Sequence, residues 1–233
     1  MSVLWLLGGL DPTGGAGLLR DFATARAFEP SLRTRSVVTA FTMQGHGGPA
    51  HARAVSVDEL RFQFDEGPSP AAIKIGLVPH ELVDDLVVFV DRHRVPVVVD
   101  PVLVASDGGA LGSDPDALRP LLERATLVTP NRDEAARLQL RGAVLHKNVG
   151  DDPDLVVDVL VEGAARHRFE RPRIHGPDPR GTGCALATAI ACGLARSHAL
   201  HDAVVSAIAW LDRARLHTLP LDGDQLTSAG SSR

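Results

Sequence analysis

The sequence predicts an α/β fold: a mostly parallel sheet covered by helices on both faces, with an antiparallel hairpin at one edge. Three observations carry this expectation. Short β-branched apolar runs alternate with longer stretches of helical spacing, that alternation breaks down after His146, and turns rich in glycine, proline and polar residues follow the apolar runs. A length of 233 residues with 44% hydrophobic composition suits one large domain, expected over residues 1–221, with a frayed polar tail over 222–233.

Residues 3–7, 36–41, 71–75, 97–99, 126–129 and 143–146 read as buried strands, because each is a short run rich in branched apolar residues. Residues 18–28, 58–64, 80–93, 115–124 and 132–140 carry helical spacing, several with Asp, Ser or Pro near the start. Strands separated by helices of this length require crossover connections, which makes their pairing parallel. The segments 155–161 and 166–174, joined by Glu162-Gly163-Ala164-Ala165, predict the edge hairpin. Helices over 184–197 and 201–215 close the domain.

Charge and cysteine content narrow the function. A net charge of -5 and scattered arginines give no basic field for nucleic acid. The only two cysteines, Cys184 and Cys192, lie eight residues apart in one predicted helix, about two turns, too far to bridge. No C-x-x-C occurs and no basic region precedes an apolar stretch at the N-terminus. The apolar runs fall short of the ~20 residues of a membrane helix. A cytoplasmic protein with a small-molecule partner, and neither membrane nor nucleic acid, is the expectation.

Ligands of open α/β sheets bind beyond the carboxyl ends of the strands, and the polar turns fall there. The run from Gly8 to Gly17 has no lysine after its glycines, so it is not a P-loop; it suits close approach of a small flat substrate. Asp21 is placed to accept a hydrogen bond from that substrate, or is a solvated first-turn carboxylate. Gln44 offers a donor and an acceptor on one planar amide, fit to read a ring edge, or is an ordinary turn residue. Asn131 and Glu134 open a helix as a cap and an acidic first turn, or place Glu134 at magnesium beside phosphates. Gly181-Thr182-Gly183-Cys184 turns successive N–H groups toward one point at a helix start, an anion hole in which Cys184 is expected to have its pKa lowered; otherwise it is a tight loop and Cys184 a small buried hydrophobe.

Gly9-Leu10-Asp11-Pro12-Thr13-Gly14-Gly15-Ala16-Gly17, Val38-Thr39-Ala40 with Gln44, Lys74-Ile75-Gly76, Asp100-Pro101-Val102-Leu103-Val104, Thr129-Pro130-Asn131 with Glu134, and Gly181-Thr182-Gly183-Cys184 follow one another in that order. Together they resemble the hydroxymethylpyrimidine/phosphomethylpyrimidine kinases of thiamine biosynthesis, in the ribokinase-like superfamily, from about Val3 to Trp210. The resemblance implies a three-layer α/β/α sandwich and an ATP- and magnesium-dependent kinase. Its substrate would be 4-amino-5-hydroxymethyl-2-methylpyrimidine and then the monophosphate, and its assembly a homodimer. By position, Gly9, Asp21, Gln44, Leu77 and Val102 would line the pyrimidine site and Gly181, Thr182, Gly183 and Cys184 the anion hole. Cys184 would stand where most of the superfamily has an aspartate base; Asn131 and Glu134 would face phosphate and magnesium, and Lys147 the nucleotide.

The departures from the family pattern lie on the nucleotide side. Lys147-Asn148-Val149-Gly150 replaces Lys-Gly-Gly-His, Arg180 replaces the usual histidine before the glycine turn, and only Gln139 to Gly142 separate the helix after Asn131 from the next strand, an abridged form. Arg180 brings a planar cation suited to phosphate oxygens. Pyridoxal or pyridoxine kinase, and a catalytically weakened pyrimidine-binding relative, are the alternatives. If Gln44 reads the aminopyrimidine edge, Gln44→Ala weakens pyrimidine binding by about 1–3 kcal/mol in calorimetry. Unchanged affinity would make it a turn residue.

Overall fold

The computed structural model describes residues 2–43, 51–65, 67–103, 114–175 and 180–216. Nine strands among them form one sheet: β1 (Val3–Leu10), β2 (Arg33–Met43), β3 (His51–Ala54), β4 (Ala72–Ile75), β5 (Val97–Val99), β6 (Leu127–Val128), β7 (Val144–His146), β8 (Leu155–Glu162) and β9 (Ala165–Pro172). Their order across the sheet is β3-β2-β1-β4-β5-β6-β7-β8-β9. The run from β2 to β7 is parallel, β3 is antiparallel at one edge, and β8 and β9 are antiparallel at the other. The helices are α1 (Gly17–Phe28), α2 (Val57–Phe64), α3 (Val83–His93), α4 (Pro115–Leu122), α5 (Arg132–Arg137), α6 (Thr182–Ala195) and α7 (Leu200–Leu216).

Side chains alternate across a strand, and the sheet uses both faces. Leu4, Leu6, Ala72, Val98, Leu127 and Leu145 pack with α1, α6 and α7. Trp5, Leu7, Ile73, Ile75, Val97 and Val99 pack with Leu60 of α2, Leu86 and Phe89 of α3, and Leu118 and Leu121 of α4. Three layers result. Helix α6 is apolar on all sides because residues 185–195 are all buried, wedged between the sheet, α1 and α7.

The predicted elements are all present, with informative differences. Strand β3 was not expected: His-Ala-Arg-Ala carries no apolar alternation, and its pairing with residues 40–43 is a backbone ladder. The expected helix over 80–93 is a 3-10 turn (His80–Leu82) followed by α3. Helix α5 stops at Arg137 rather than residue 140, because Leu138 turns extended and buries itself in the core. The hairpin closes on Gly163 and Ala164 alone, since Glu162 and Ala165 already pair across it; Gly163 supplies the positive φ of 59°. Helix α6 begins at Thr182, so Cys184 sits inside its first turn.

The chain leaves β1 for β2 on one side and returns to β4 on the other, which makes the carboxyl ends of β1 and β4 the topological switch point. β1 therefore carries both the fold and the floor of the cleft. Leu6, 0% exposed at its centre, is the corresponding test: Leu6→Ala should lose about 2–5 kcal/mol of unfolding free energy in urea titration.

Candidate active site

The strand ends at the switch point converge. Gly9 is the second-last residue of β1: a Cβ there would stand 2.8 Å from Leu77 Cδ2 and 3.1 Å from Thr42 Cγ2. Ala40 and Leu77 form a small apolar cluster against which Val102 packs. Of the residues expected at a ring-binding site, Gly9, Leu77 and Val102 are thus gathered at the ends of β1, β4 and β5. Gln44 lies outside the described residues.

Two helix N-termini meet beside that cluster. Gly181, the N-cap of α6, takes φ +77°, and a Cβ on it would stand 2.4 Å from the Gly15 carbonyl oxygen, so only glycine lets the turn sit against the first loop. From α1, the backbone at Gly17 favours the ionised form of the Cys184 thiol. Arg180 is held at 3.5 Å from Asp11 Oδ2, and Thr13 donates through N–H and hydroxyl to Asp11 Oδ1. The glycine-rich loop and the Gly-Thr-Gly turn are therefore tied together, with N–H groups of two first turns on one side of the cleft.

The electrostatics overturn one expectation. The Cys184 thiol is not lowered toward thiolate; burial pushes it up to about 11, Lys74 pulls against that, and Asp21 and Asp100 add to the rise. Desolvation of the anion outweighs the favourable helix end. Asp21 also departs from both of its readings. It is 0% exposed, neither solvated nor open to a ligand: its Oδ2 accepts from Lys74 Nζ at 2.7 Å and its Oδ1 from Thr188 Oγ1 at 2.8 Å.

On the other side of the turn lies a cavity of about 290 Å³, lined by Asn131, Lys147, Arg173, Arg215, Thr182 and Gly183 among others. Lys147 reaches it from the end of β7; its Nζ donates to Asp100 Oδ1 at 2.8 Å and would stand 3.1 Å from a Cβ on Gly183. Burial alone would raise the Asp100 carboxyl, but Lys147, Lys74 and the hydroxyl of Thr129 hold it below its ordinary value. Asn131 and Glu134 form a reciprocal capping box at α5: the Glu134 N–H donates to Asn131 Oδ1 at 2.8 Å, and the Asn131 N–H donates to Glu134 Oε2 at 2.8 Å. Burial, with the charge of Asp100 behind it, pushes the Glu134 carboxyl up to about 7.

Lys74, Asp100, Thr129 and Thr188 are engaged here although the sequence reading gave them no role. Lys74 and Asp100 did carry a signal: each is a lone charge inside or directly ending a run otherwise apolar, Ala-Ile-Lys-Ile and Val-Val-Val-Asp. Thr188 carried none, because a threonine in an alanine-rich helix is unexceptional.

A cleft at the switch point of a mostly parallel three-layer sheet, floored by two helix N-termini, with an apolar wall on one side and cations on the other, defines a ribokinase-like small-molecule kinase. The chain belongs to the phosphomethylpyrimidine kinase family, whose model matches residues 11–144 and 139–227. It is 33% identical over 247 residues to the hydroxymethylpyrimidine/phosphomethylpyrimidine kinase of Streptomyces coelicolor, covering 92% of this chain and 89% of that one. It is 35% identical over 254 residues to a thiamine biosynthesis bifunctional protein of Geobacter sulfurreducens, covering 94% of this chain and 50% of that protein. The fold is shared with the pyridoxal kinase from Staphylococcus aureus in complex with AMP-PCP and pyridoxal, at a TM-score of 0.82 and 24% identity, over 96% of this chain and 91% of that one.

The raised Glu134 carboxyl makes stability depend on pH. Between pH 4.5, its ordinary value, and about 7, the folded chain keeps a proton that the unfolded chain has released, so stability falls as pH rises through that window. Without magnesium, urea titrations of wild type and Glu134→Gln should diverge by up to about 3 kcal/mol between pH 5 and 8, the wild type losing more. Parallel curves would mean that Glu134 ionises normally.

Proposed function

We propose that this chain transfers a phosphoryl group from ATP to the hydroxymethyl group of 4-amino-5-hydroxymethyl-2-methylpyrimidine, and a second to the resulting monophosphate, making the diphosphate for thiamine biosynthesis. The observation that carries the proposal is the position of Cys184. It lies in the first turn of α6, directly after Gly183, which lines the cavity at Lys147, and at the cleft whose apolar wall is Leu77 and Val102. A ring alcohol seated on that wall would present its oxygen to a phosphate held at the turn.

In this reading Gly9, Leu77 and Val102 seat the ring and Gln44 reads its edge. The N–H groups of Gly181, Thr182, Gly183 and Cys184, with Arg180, bind phosphate oxygens. Lys147 and Asn131 face the donor's phosphates from the cavity. Phosphoryl transfer requires positioning and charge stabilisation more than covalent chemistry, and these are the groups the cleft supplies. The alcohol oxygen bonds to phosphorus as the bridging bond to ADP breaks, and the alcohol proton passes to the thiolate form of Cys184, which has first given its own proton to solvent. Asp21 is left out of the ring site, since it is buried and paired with Lys74 and Thr188.

Magnesium fits the donor side. Glu134 is a carboxylate held against its own desolvation and the charge of Asp100, an arrangement that a cation relieves. Magnesium characteristically takes one or two carboxylates with phosphate oxygens and water. Bound there, it would neutralise charge on the donor's phosphates. Among the described residues no cluster of three or more potential ligands occurs. No described helix is long and apolar enough to cross a membrane. The same reading carries a cytoplasmic homodimer and a single kinase domain over residues 1–221 ahead of the tail.

The experiment is turnover of the hydroxymethylpyrimidine with ATP, with pyridoxal as the competing ring alcohol. Cys184→Ala should lower kcat about 10²-fold or more while leaving the KM for the pyrimidine largely unchanged, and wild-type turnover should climb with pH above neutrality as the thiol ionises. Equal turnover in the variant would leave Cys184 as packing.

A further inference from the structure

Lys74 is out of place by any packing argument. Its side chain is 1% exposed in the middle of β4, with the buried Leu6 and Val98 as its lateral neighbours in the sheet. Burying an ion pair is often no more stabilising than filling the same volume with apolar side chains, and this core is otherwise built from Leu, Val, Ala and Ile. The sheet alone does not need the charge.

The ammonium is fixed in relation to one atom of the cleft. Asp21 holds Nζ at 2.7 Å, and Thr188 holds Asp21 at 2.8 Å. Thr188 lies one turn beyond Cys184 on α6, and Asp21 lies one turn beyond Gly17 on α1. The two helices are thus tied by Thr188 on Asp21, and Gly181 at the start of α6 packs against the Gly15 carbonyl just ahead of α1. A Cβ on Gly76 would stand 2.9 Å from Nζ, so the ammonium lies close against the carboxyl end of β4 with no room for a side chain beside it.

We propose that Lys74 is a positioning residue of the transfer: clamped by Asp21 and Thr188, it is the fixed buried cation against which Cys184 ionises to receive the hydroxyl proton. This rests on the reading of Cys184 given above. The groups whose charges bear on the thiol are Arg20 and Asp21 from α1, Lys74 from β4, Asp100 after β5 and Lys147 after β7. Lys147 is tied to Asp100 and faces the donor, while Arg20 donates to the Gly15 carbonyl at 3.4 Å. Lys74 exerts the strongest downward pull on the thiol against its burial. In the step itself the alcohol proton moves to the sulfur, the alcohol oxygen forms the new bond to phosphorus, and the donor's bridging bond breaks. Lys74 keeps its proton throughout.

The test uses the full chain in a Cys192→Ala background, which leaves Cys184 as the sole thiol of a sequence with two cysteines. Alkylation by iodoacetamide is followed by intact mass from neutral to alkaline pH. In Lys74→Met the reaction should slow about tenfold or more at a given pH, the rate–pH curve moving to higher pH. The kcat profile should move the same way, with the KM for the pyrimidine unchanged. Should Lys74→Met not fold, Lys74→Met/Asp21→Asn removes both charges and leaves neither buried alone; its curve should move in the same direction. A folded variant of either kind with the wild-type alkylation curve overturns the proposal and makes Lys74 structural. The kinase reading fails separately, if wild type forms no phosphorylated pyrimidine, and the alkylation readout does not depend on that turnover.

Discussion

The structure depends on how α6 seats against α1 above β1 and β4. Gly181 permits an approach that any side chain would block, and Asp21 meets Thr188 at the second turn. That contact places two positive helix ends at one point, anchors Lys74 under them, and completes the apolar layer on one face of the sheet. The cleft is the outer edge of this contact and has no separate scaffold. A change that spreads the two helices therefore disturbs packing and chemistry together.

Much of this was legible in the sequence because it rests on local rules. Apolar run length and helical spacing located the elements, and the Gly-Thr-Gly turn marked the start of α6. The unexpected parts rest on tertiary context. Strand β3 is specified by the open edge of β2, not by its own side chains. The end of α5 is set by a pocket for Leu138. Cys184 was placed correctly at a helix start, but the sign of its shift depends on how much protein covers it, and desolvation wins. Asp21 reads from the sequence as a solvated helix-start acid, but it lies one turn into α1 and is buried against the lysine across the layer.

The charges divide into two populations with different physical meaning. Pairs such as Arg61 with Asp85 and Arg124 with Asp91 lie toward the surface, where ion pairs contribute little. Lys74 with Asp21 and Lys147 with Asp100 are buried at the carboxyl edge of the sheet. These two pairs balance, with Arg20 and Asp11 buried beside them, while Glu134 stands as a carboxyl raised to about 7. The interior polarity of this protein is thus concentrated where a multiply charged donor would arrive, and the cost of desolvating those groups is met during folding, before any ligand binds.

The place of α6 in the chain has a consequence for how the molecule is made. The parallel strands and α1 are complete in the chain by residue 146, yet the helix that covers β1, β4 and β5 begins only at Thr182. A nascent chain on the ribosome therefore holds a sheet with one apolar face open for some forty residues of further synthesis, while contacts distant in sequence wait for their partner. Because the same helix brings Cys184 and the glycine turn, the chain cannot acquire its cleft before that face is closed, and no partly covered intermediate can bind as the finished protein does.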